Sequence, residues 1–131
     1  MEEAADATGV HEDAGTYVLY QQGRDRLRRG NPGGAAEVLE LAIEQAPEQA
    51  SLHEALGRAY FAGARLTAAR RQFERAVELD PTDDYAHYVL GRTLERQGEL
   101  ERAAKHLKLA CAMSPKPDYR DARDRVLQRL S

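Results

Sequence analysis

The stretch His53-x-x-Leu56-Gly57-x-x-Tyr60, followed by Ala69-x-x-x-Phe73, Ala76 and Pro81, decides the reading of this chain. Its apolar residues fall at three- and four-residue spacing, interrupted at Gly63 and stopped at Pro81, so it predicts two short helices separated by a turn. One helix is expected from Ala50 to Ala62 and a second from Thr67 to Asp80. Shifted by 34 residues in either direction, the same plan returns.

Five sets of residues share that register. Gly23, Gly57 and Gly91 coincide, as do Ala35, Ala69 and Ala103, and Leu39, Phe73 and Leu107. Ala42, Ala76 and Ala110 form the fourth set, and Pro47, Pro81 and Pro115 the fifth. The small residues let two antiparallel helices approach closely, and the Leu/Phe set fills the space between them. Each proline ends the second helix of its pair.

Working outward, Thr16 is placed to cap a first helix that ends at Gly30. Its Leu19 and Leu27 lie near one face, with Tyr17, Tyr20 and Arg24 on another. Asn31-Pro32 then opens a second helix, with proline at the first helical position, and Ala35, Leu39, Ala42 and Ile43 carry it to Pro47. After the middle unit, Thr82 or Asp83 caps a helix that ends at Gly98. Its partner ends before Pro115, and a last helix opens at Asp118 with Tyr119, Ala122, Val126 and Leu130 along one side.

The pattern resembles the tetratricopeptide repeat, whose signature runs W-x₂-L-G-x₂-Y…A-x₃-F…P over the same period. The middle unit, 50–83, departs only at the Trp, where His53 stands. The unit 84–117 keeps Leu90, Gly91, Ala103 and Pro115, with His87, Leu94 and Leu107 for Trp, Tyr and Phe. The unit 16–49 is weakest at its start, where Leu19, Gln22 and Arg26 fill the Trp, Leu and Tyr places. The resemblance covers 16–117. It implies an all-α fold, an α-α superhelix or solenoid of three antiparallel helix pairs, with 118–131 as a capping helix and seven helices in total. A single pair cannot bury its own apolar face, so a stack with a polar-faced cap is expected. The arc is expected to be right-handed, with the first helix of each pair on its concave side.

Composition agrees with a helical, water-facing chain. Of 131 residues, 42% are apolar and 31% charged, with no Trp and two Phe. Residues 1–15 hold Glu2, Glu3, Asp6, Glu12 and Asp13 without Lys or Arg, and read as an acidic disordered tail. The chain's formal charge of −3, less those five negative charges, leaves the repeat domain 16–131 at +2. A body so close to neutral argues against a dedicated nucleic-acid binder. The basic run Arg24–Arg29 would scatter around a helix axis instead of forming a stripe. No apolar run is long enough to span a membrane, and the acidic N-terminus has the wrong sign for a signal peptide, so a cytoplasmic location is expected.

The single cysteine, Cys111, excludes an internal disulfide, and its phase with Ile43 and Val77 places it as a small buried apolar residue. His53 and His87 stand where the family packs an aromatic, with no carboxylate or thiol at ligand spacing, so no metal and no cofactor are expected. His106 reads as a surface residue. No acid–base or nucleophile constellation appears, and an enzyme is not expected.

Family resemblance implies a concave groove that holds a segment of another protein. The side chains expected there are Tyr17, Tyr20, Arg24 and Arg28, then Ser51, Glu54, Arg58 and Phe61, then Tyr85, Tyr88, Arg92, Glu95 and Arg96. Arg24, Arg58 and Arg92 stand 34 apart and form a ladder suited to acidic partners. Local pairing would compete for them: Glu54 precedes Arg58 by four residues, Tyr20 precedes Arg24, and Tyr88 precedes Arg92. Some chaperone-binding members clamp a C-terminal carboxylate with Lys, Asn, Asn, Lys and Arg. The matching places hold Tyr20, Arg24, Ala55, Tyr85 and Val89, so the resemblance does not extend to that type. The expected function is a non-catalytic protein-interaction adaptor. The alternative is a self-associating module, a homodimer meeting through Tyr17, Tyr20, Val126 or Leu130.

Overall fold

The computed structural model describes residues 2–131, with side chains described from residue 14 onward. Seven helices follow one another: α1 (Glu2–Arg28), α2 (Pro32–Gln45), α3 (Ala50–Ala62), α4 (Leu66–Leu79), α5 (Asp84–Arg96), α6 (Leu100–Met113) and α7 (Pro117–Leu130). The expected acidic tail over 1–15 lies almost entirely outside the residues with described side chains. Thr16 does not cap a helix start. It is buried within α1, and its hydroxyl donates to Gln45 Oε1 of α2 at 3.1 Å, because a continuing helix leaves the side chain free to bond across the pair.

Each helix packs on the next in sequence, α1 on α2, α3 on α4 and α5 on α6. At the centre of each pair lies the close approach read from the repeat. The Phe73 ring of α4 sits against Gly57 of α3 so closely that a Cβ there would lie 2.4 Å from the ring. Phe73, Leu39 and Leu107 are all fully buried, as are Ala35, Ala69 and Ala103. Burying each of the large side chains contributes about 1.5–3 kcal/mol.

The odd-numbered helices also touch one another, α1 with α3, α3 with α5 and α5 with α7. Among the described residues the even-numbered helices stand farther apart, and α6 reaches α4 through a long side chain, Arg102 to Glu74 at 3.3 Å. The stack therefore curves with α1, α3, α5 and α7 on its inner side. No helix is long and apolar enough to cross a membrane among the described residues.

The turns inside the pairs repeat in detail. Asn31 N donates to Arg26 O, Arg65 N to Tyr60 O and Glu99 N to Leu94 O, at 2.8, 2.8 and 2.9 Å. Such a closure needs one residue in the left-handed region. Gly30 (φ 78°) and Gly98 (φ 81°) supply it in two turns, but in the middle turn the residue is Ala64 (φ 62°). Gly63, expected to make the break, is the helix cap at φ −87° and needs no special freedom. At the starts, Asn31 accepts from Gly34 N at 2.9 Å, and Asp83 accepts from Tyr85 N and Ala86 N at 3.0 and 3.3 Å. Thr82 instead gives its hydroxyl to Asp80, so Asp83 is the cap. Helix α7 opens one residue before Asp118, with Pro117 in its first turn.

The histidines in the Trp places act between units. His53 Nε2 lies 2.7 Å from the Pro47 carbonyl, and His87 Nε2 lies 2.8 Å from that of Pro81. A carbonyl only accepts, so both nitrogens carry the proton and donate. Each ring thus ties the first helix of its pair to the turn in front of it. His53 Nδ1 meets the Gln72 side-chain amide at 2.8 Å. His87 Nδ1, left as an acceptor, accepts a hydrogen bond from His106 Nδ1 at 3.1 Å. His106 is not the surface residue expected: it is half-buried and stacked on His87, with centroids 5.3 Å apart. Burial, with His87 next to it, pulls its pKa down to about 4. Cys111 is half-exposed, not buried: it lies on the side of α6 near Arg123 of α7, whose long polar side chain leaves it partly open to water.

Candidate functional site: the inner groove

The inner face is built by α1, α3 and α5, where residues four apart stand one above another. Three hollows follow one another along it. The first, about 250 Å³, lies between Arg24, Leu27, Arg28 and Arg58. The second, about 350 Å³, shares Leu27 and Arg58 and adds Phe61, Phe73, Tyr85, Tyr88, Val89 and Arg92. The third, about 580 Å³, shares Tyr88 and Arg92 and reaches Arg96 and the α7 residues Asp118, Asp121, Arg125 and Arg129.

The arginines lie on aromatic faces. The Arg24 guanidinium stands 5.5 Å from the Tyr20 ring centre, and Arg58 stands 5.9 Å from that of Tyr85. Arg92 lies between Phe61 and Tyr88, at 6.0 and 5.8 Å, and donates to the Tyr88 hydroxyl at 3.1 Å. Arg96 stands 5.2 Å from Phe61. A guanidinium over a ring keeps its N–H edge available while its plane is held. Among the described residues none of these four pairs with a carboxylate. The carboxylates are engaged elsewhere: Asp25 holds Arg28 and Arg29, Glu74 holds Arg70 and Arg102, and Glu95 holds Arg125.

Local pairing along one helix therefore accounts for Tyr20–Arg24 and Tyr88–Arg92, but not for Glu54–Arg58. Arg58 turns to Tyr85 on α5, the first helix of the next pair. Glu54 is half-buried, and burial together with the Asp83 carboxyl that it faces pushes its pKa up to about 8. Near neutral pH Glu54 is thus mostly protonated, which removes a negative charge from the acidic flank of the groove.

The expected groove residues do not all share one surface. Tyr17, which is 60% exposed, and Tyr20 wall a separate hollow with Gln49, Ser51 and Leu52. Arg24, Arg58, Phe61, Tyr85, Tyr88, Arg92 and Arg96 line the chain of three hollows, and Glu54 borders them beside Asp83. Glu95, expected in the groove, lines the third hollow, but its carboxylate is taken up within the chain. It is buried, and Arg125 of α7 donates two hydrogen bonds to it, at 2.6 and 2.8 Å, holding its carboxyl below the usual range. Tyr119 is likewise unavailable: it is 2% exposed, stacks on Tyr88 and donates to Asp84 at 2.8 Å.

Leu27 and Val89 line the second hollow and were not among the expected residues. Leu27 shares its 34-residue phase with Phe61, and that phase was the signal available for it. Val126 is fully buried, so of the expected self-contact residues on α7 only Leu130 is exposed.

A curved stack of helix pairs with an arginine-and-aromatic inner face belongs to the class of α-helical repeat scaffolds. The sequence profile of the tetratricopeptide repeat matches residues 20–84 and again 55–116, which together span most of the chain. The chain belongs to the tetratricopeptide repeat family. No curated protein matches it significantly.

Among solved structures, it is similar to the first repeat domain of Spaghetti (RPAP3) bound to an HSP90 peptide, SRMEEVD. That likeness has a TM-score of 0.87 at 19% identity, covering 89% of this chain and 94% of the other. The Arabidopsis OM64 domain gives a TM-score of 0.87 at 16% identity, covering 90% and 98%. The Yersinia enterocolitica secretion chaperone SycD, in complex with a peptide of the translocator YopD, gives 0.74 at 20% identity, covering 87% and 88%. At these identities the likeness is one of fold.

Proposed function

We propose that this protein is a non-catalytic adaptor that holds a peptide or protein segment, acidic in character, on its inner face. One observation carries the reading. Four guanidinium groups, those of Arg24, Arg58, Arg92 and Arg96, line connected hollows against aromatic rings, and none of the four forms an ion pair among the described residues. Tyrosines supply rigid contact area, and arginines supply charge complementarity. The site comprises Tyr20, Arg24, Glu54, Arg58, Phe61, Tyr85, Tyr88, Arg92 and Arg96, with Tyr17 at its margin.

Two of the structural relatives are described as peptide complexes, which supports a peptide-holding inner face here. The reading stops short of a carboxylate clamp, since Ala55 and Val89 at two of its places are buried and apolar. It places the protein in the cytoplasm and assigns no cofactor, metal, nucleic acid or membrane to its function. Homodimerisation through the exposed Tyr17 and Leu130 is the alternative, and light scattering at high concentration separates the two.

The test is capture of partners from native extract by wild type and by Arg58→Glu, in parallel and over a salt series. Loss of a captured protein with Arg58→Glu, at unchanged helical circular dichroism, together with weakening by salt, supports the groove. Equal and salt-independent capture by both proteins overturns it.

A further inference from the structure

The four arginines are not evenly spread. Arg24 and Arg58 flank the first hollow, and Arg92 and Arg96 flank the third. Between them lies the second, which Arg58 and Arg92 also reach and whose other walls are largely apolar, with Leu27, Phe61, Phe73 and Val89 among them. We infer that the occupant is an internal, bipartite acidic segment: two pairs of carboxylates with one large apolar side chain midway between them. This rests on the groove reading above and narrows it to a chemical pattern.

The geometry sets the spacing. Neighbouring packed helices stand about 8–10 Å apart. The midpoint of the α1–α3 arginine pair therefore lies roughly 12–15 Å from the α5 pair, along the direction of the groove. An extended chain covers that in about four to five residues at roughly 3.3 Å each. A hollow of about 350 Å³ accommodates one aromatic or large aliphatic side chain. Asp118 and Asp121 face the third hollow from α7, so the second acidic pair is confined to the α5 side, at Arg92 and Arg96. The further arginines of the hollows, Arg28, Arg125 and Arg129, already face Asp25 or Glu95, so a free C-terminus is not required.

The probe is the capped peptide acetyl-Glu-Glu-Gly-Phe-Gly-Glu-Glu-amide, followed by fluorescence anisotropy at low salt. Variants replace Phe by Ala, or either acidic pair by Gln. Each change is expected to weaken binding about tenfold or more. In Arg24→Gln one acidic pair becomes dispensable, and in Arg96→Gln it is the other pair. Both arginines are exposed, and circular dichroism checks that the fold is kept.

If a peptide with one acidic pair binds wild type as well as the full peptide, and Arg58→Glu still abolishes binding, the bipartite pattern is wrong while the groove stands. The pattern is equally wrong, and the groove equally intact, if exchanging Phe for Ala changes nothing. If no acidic peptide binds better than its all-Gln control, or an RNA oligonucleotide of equal charge binds more tightly, the groove reading falls with it.

Discussion

The first helix pair and the two behind it carry the same repeat phase but meet different neighbours. Val18, Leu52 and Ala86 occupy one phase. Leu52 and Ala86, covered by the pair in front, are 1% and 0% exposed, whereas Val18 is 51% exposed. One turn on, Leu56 and Leu90 are buried and Gln22 is exposed. Where Tyr60 and Leu94 fill the next turn, the first pair has Arg26, which donates to Gly34 O at 3.0 Å and stays half-exposed. The poor match of residues 16–49 to the repeat signature is therefore not decay. It is the chemistry of an outer face, with polar groups at positions that become core only when another pair is stacked on them.

The sharpest way to break that comparison is to exchange the residues. Leu56→Gln, importing the first pair's residue into the second, is expected to destabilise by about 3–5 kcal/mol, through the lost apolar volume and a buried amide. The reverse change, Gln22→Leu, is expected to stay within about 0.5 kcal/mol of wild type. Urea denaturation measures both, and equal effects would show that position, not neighbour, sets the burial.

The other end of the stack closes differently, by an ion pair instead of a polar surface. Arg125→Ala removes the donor of two hydrogen bonds to buried Glu95 and is expected to destabilise by about 1–3 kcal/mol. Glu95 is held below its ordinary pKa, so this contribution is present above about pH 4.5 and is lost as pH falls through the lower, folded value. Denaturation of wild type and variant should therefore converge in strong acid.

The middle pair differs from its neighbours at one turn. Ala64→Gly restores the residue found at Gly30 and Gly98, and relief of left-handed strain outweighs the added chain entropy. A gain of about 0.5–1 kcal/mol is expected, read as a rise in Tm of roughly 2–5 °C.

The last effect, the smallest near neutral pH, separates the second pair from the third. His106 stands where Gln72 does, and its folded pKa of about 4 lies below the ordinary 6.5. The unfolded chain takes up a proton at His106 before the folded one does, so stability is lost as pH falls from about 6.5 to 4. His106→Gln is expected to flatten that part of the pH–stability curve while leaving stability at pH 8 nearly unchanged.

Much of the fold was legible because a 34-residue period constrains many positions at once. Gly57 against Phe73 could be read from small and large residues recurring in step. The site was legible only in its inventory. Spacing along one helix says which side chains share a face, and this found Tyr88–Arg92. It says nothing of the adjacent helix, and so missed Arg58 on Tyr85, Glu54 against Asp83 and the bonding of the Glu95 carboxylate to Arg125. The left-handed Ala64 escaped notice because Gly63 beside it looked like the natural break. His53 and His87 were rightly read as structural, but their carbonyl partners six residues earlier have no helical periodicity to betray them.

The histidine-to-proline bonds also bear on how the array comes apart. In a stack of this kind, stability is a sum of unit terms and nearest-neighbour couplings, as in a short one-dimensional chain of spins. His53 and His87 each strengthen one coupling, and Glu95 with Arg125 strengthens the last. The first pair has Leu19 in the histidine place and adds no such bond of its own. Amide exchange should accordingly be fastest in α1 and α2 and slowest around α5, a gradient of opening energies written by which carbonyls have an imidazole to hold them.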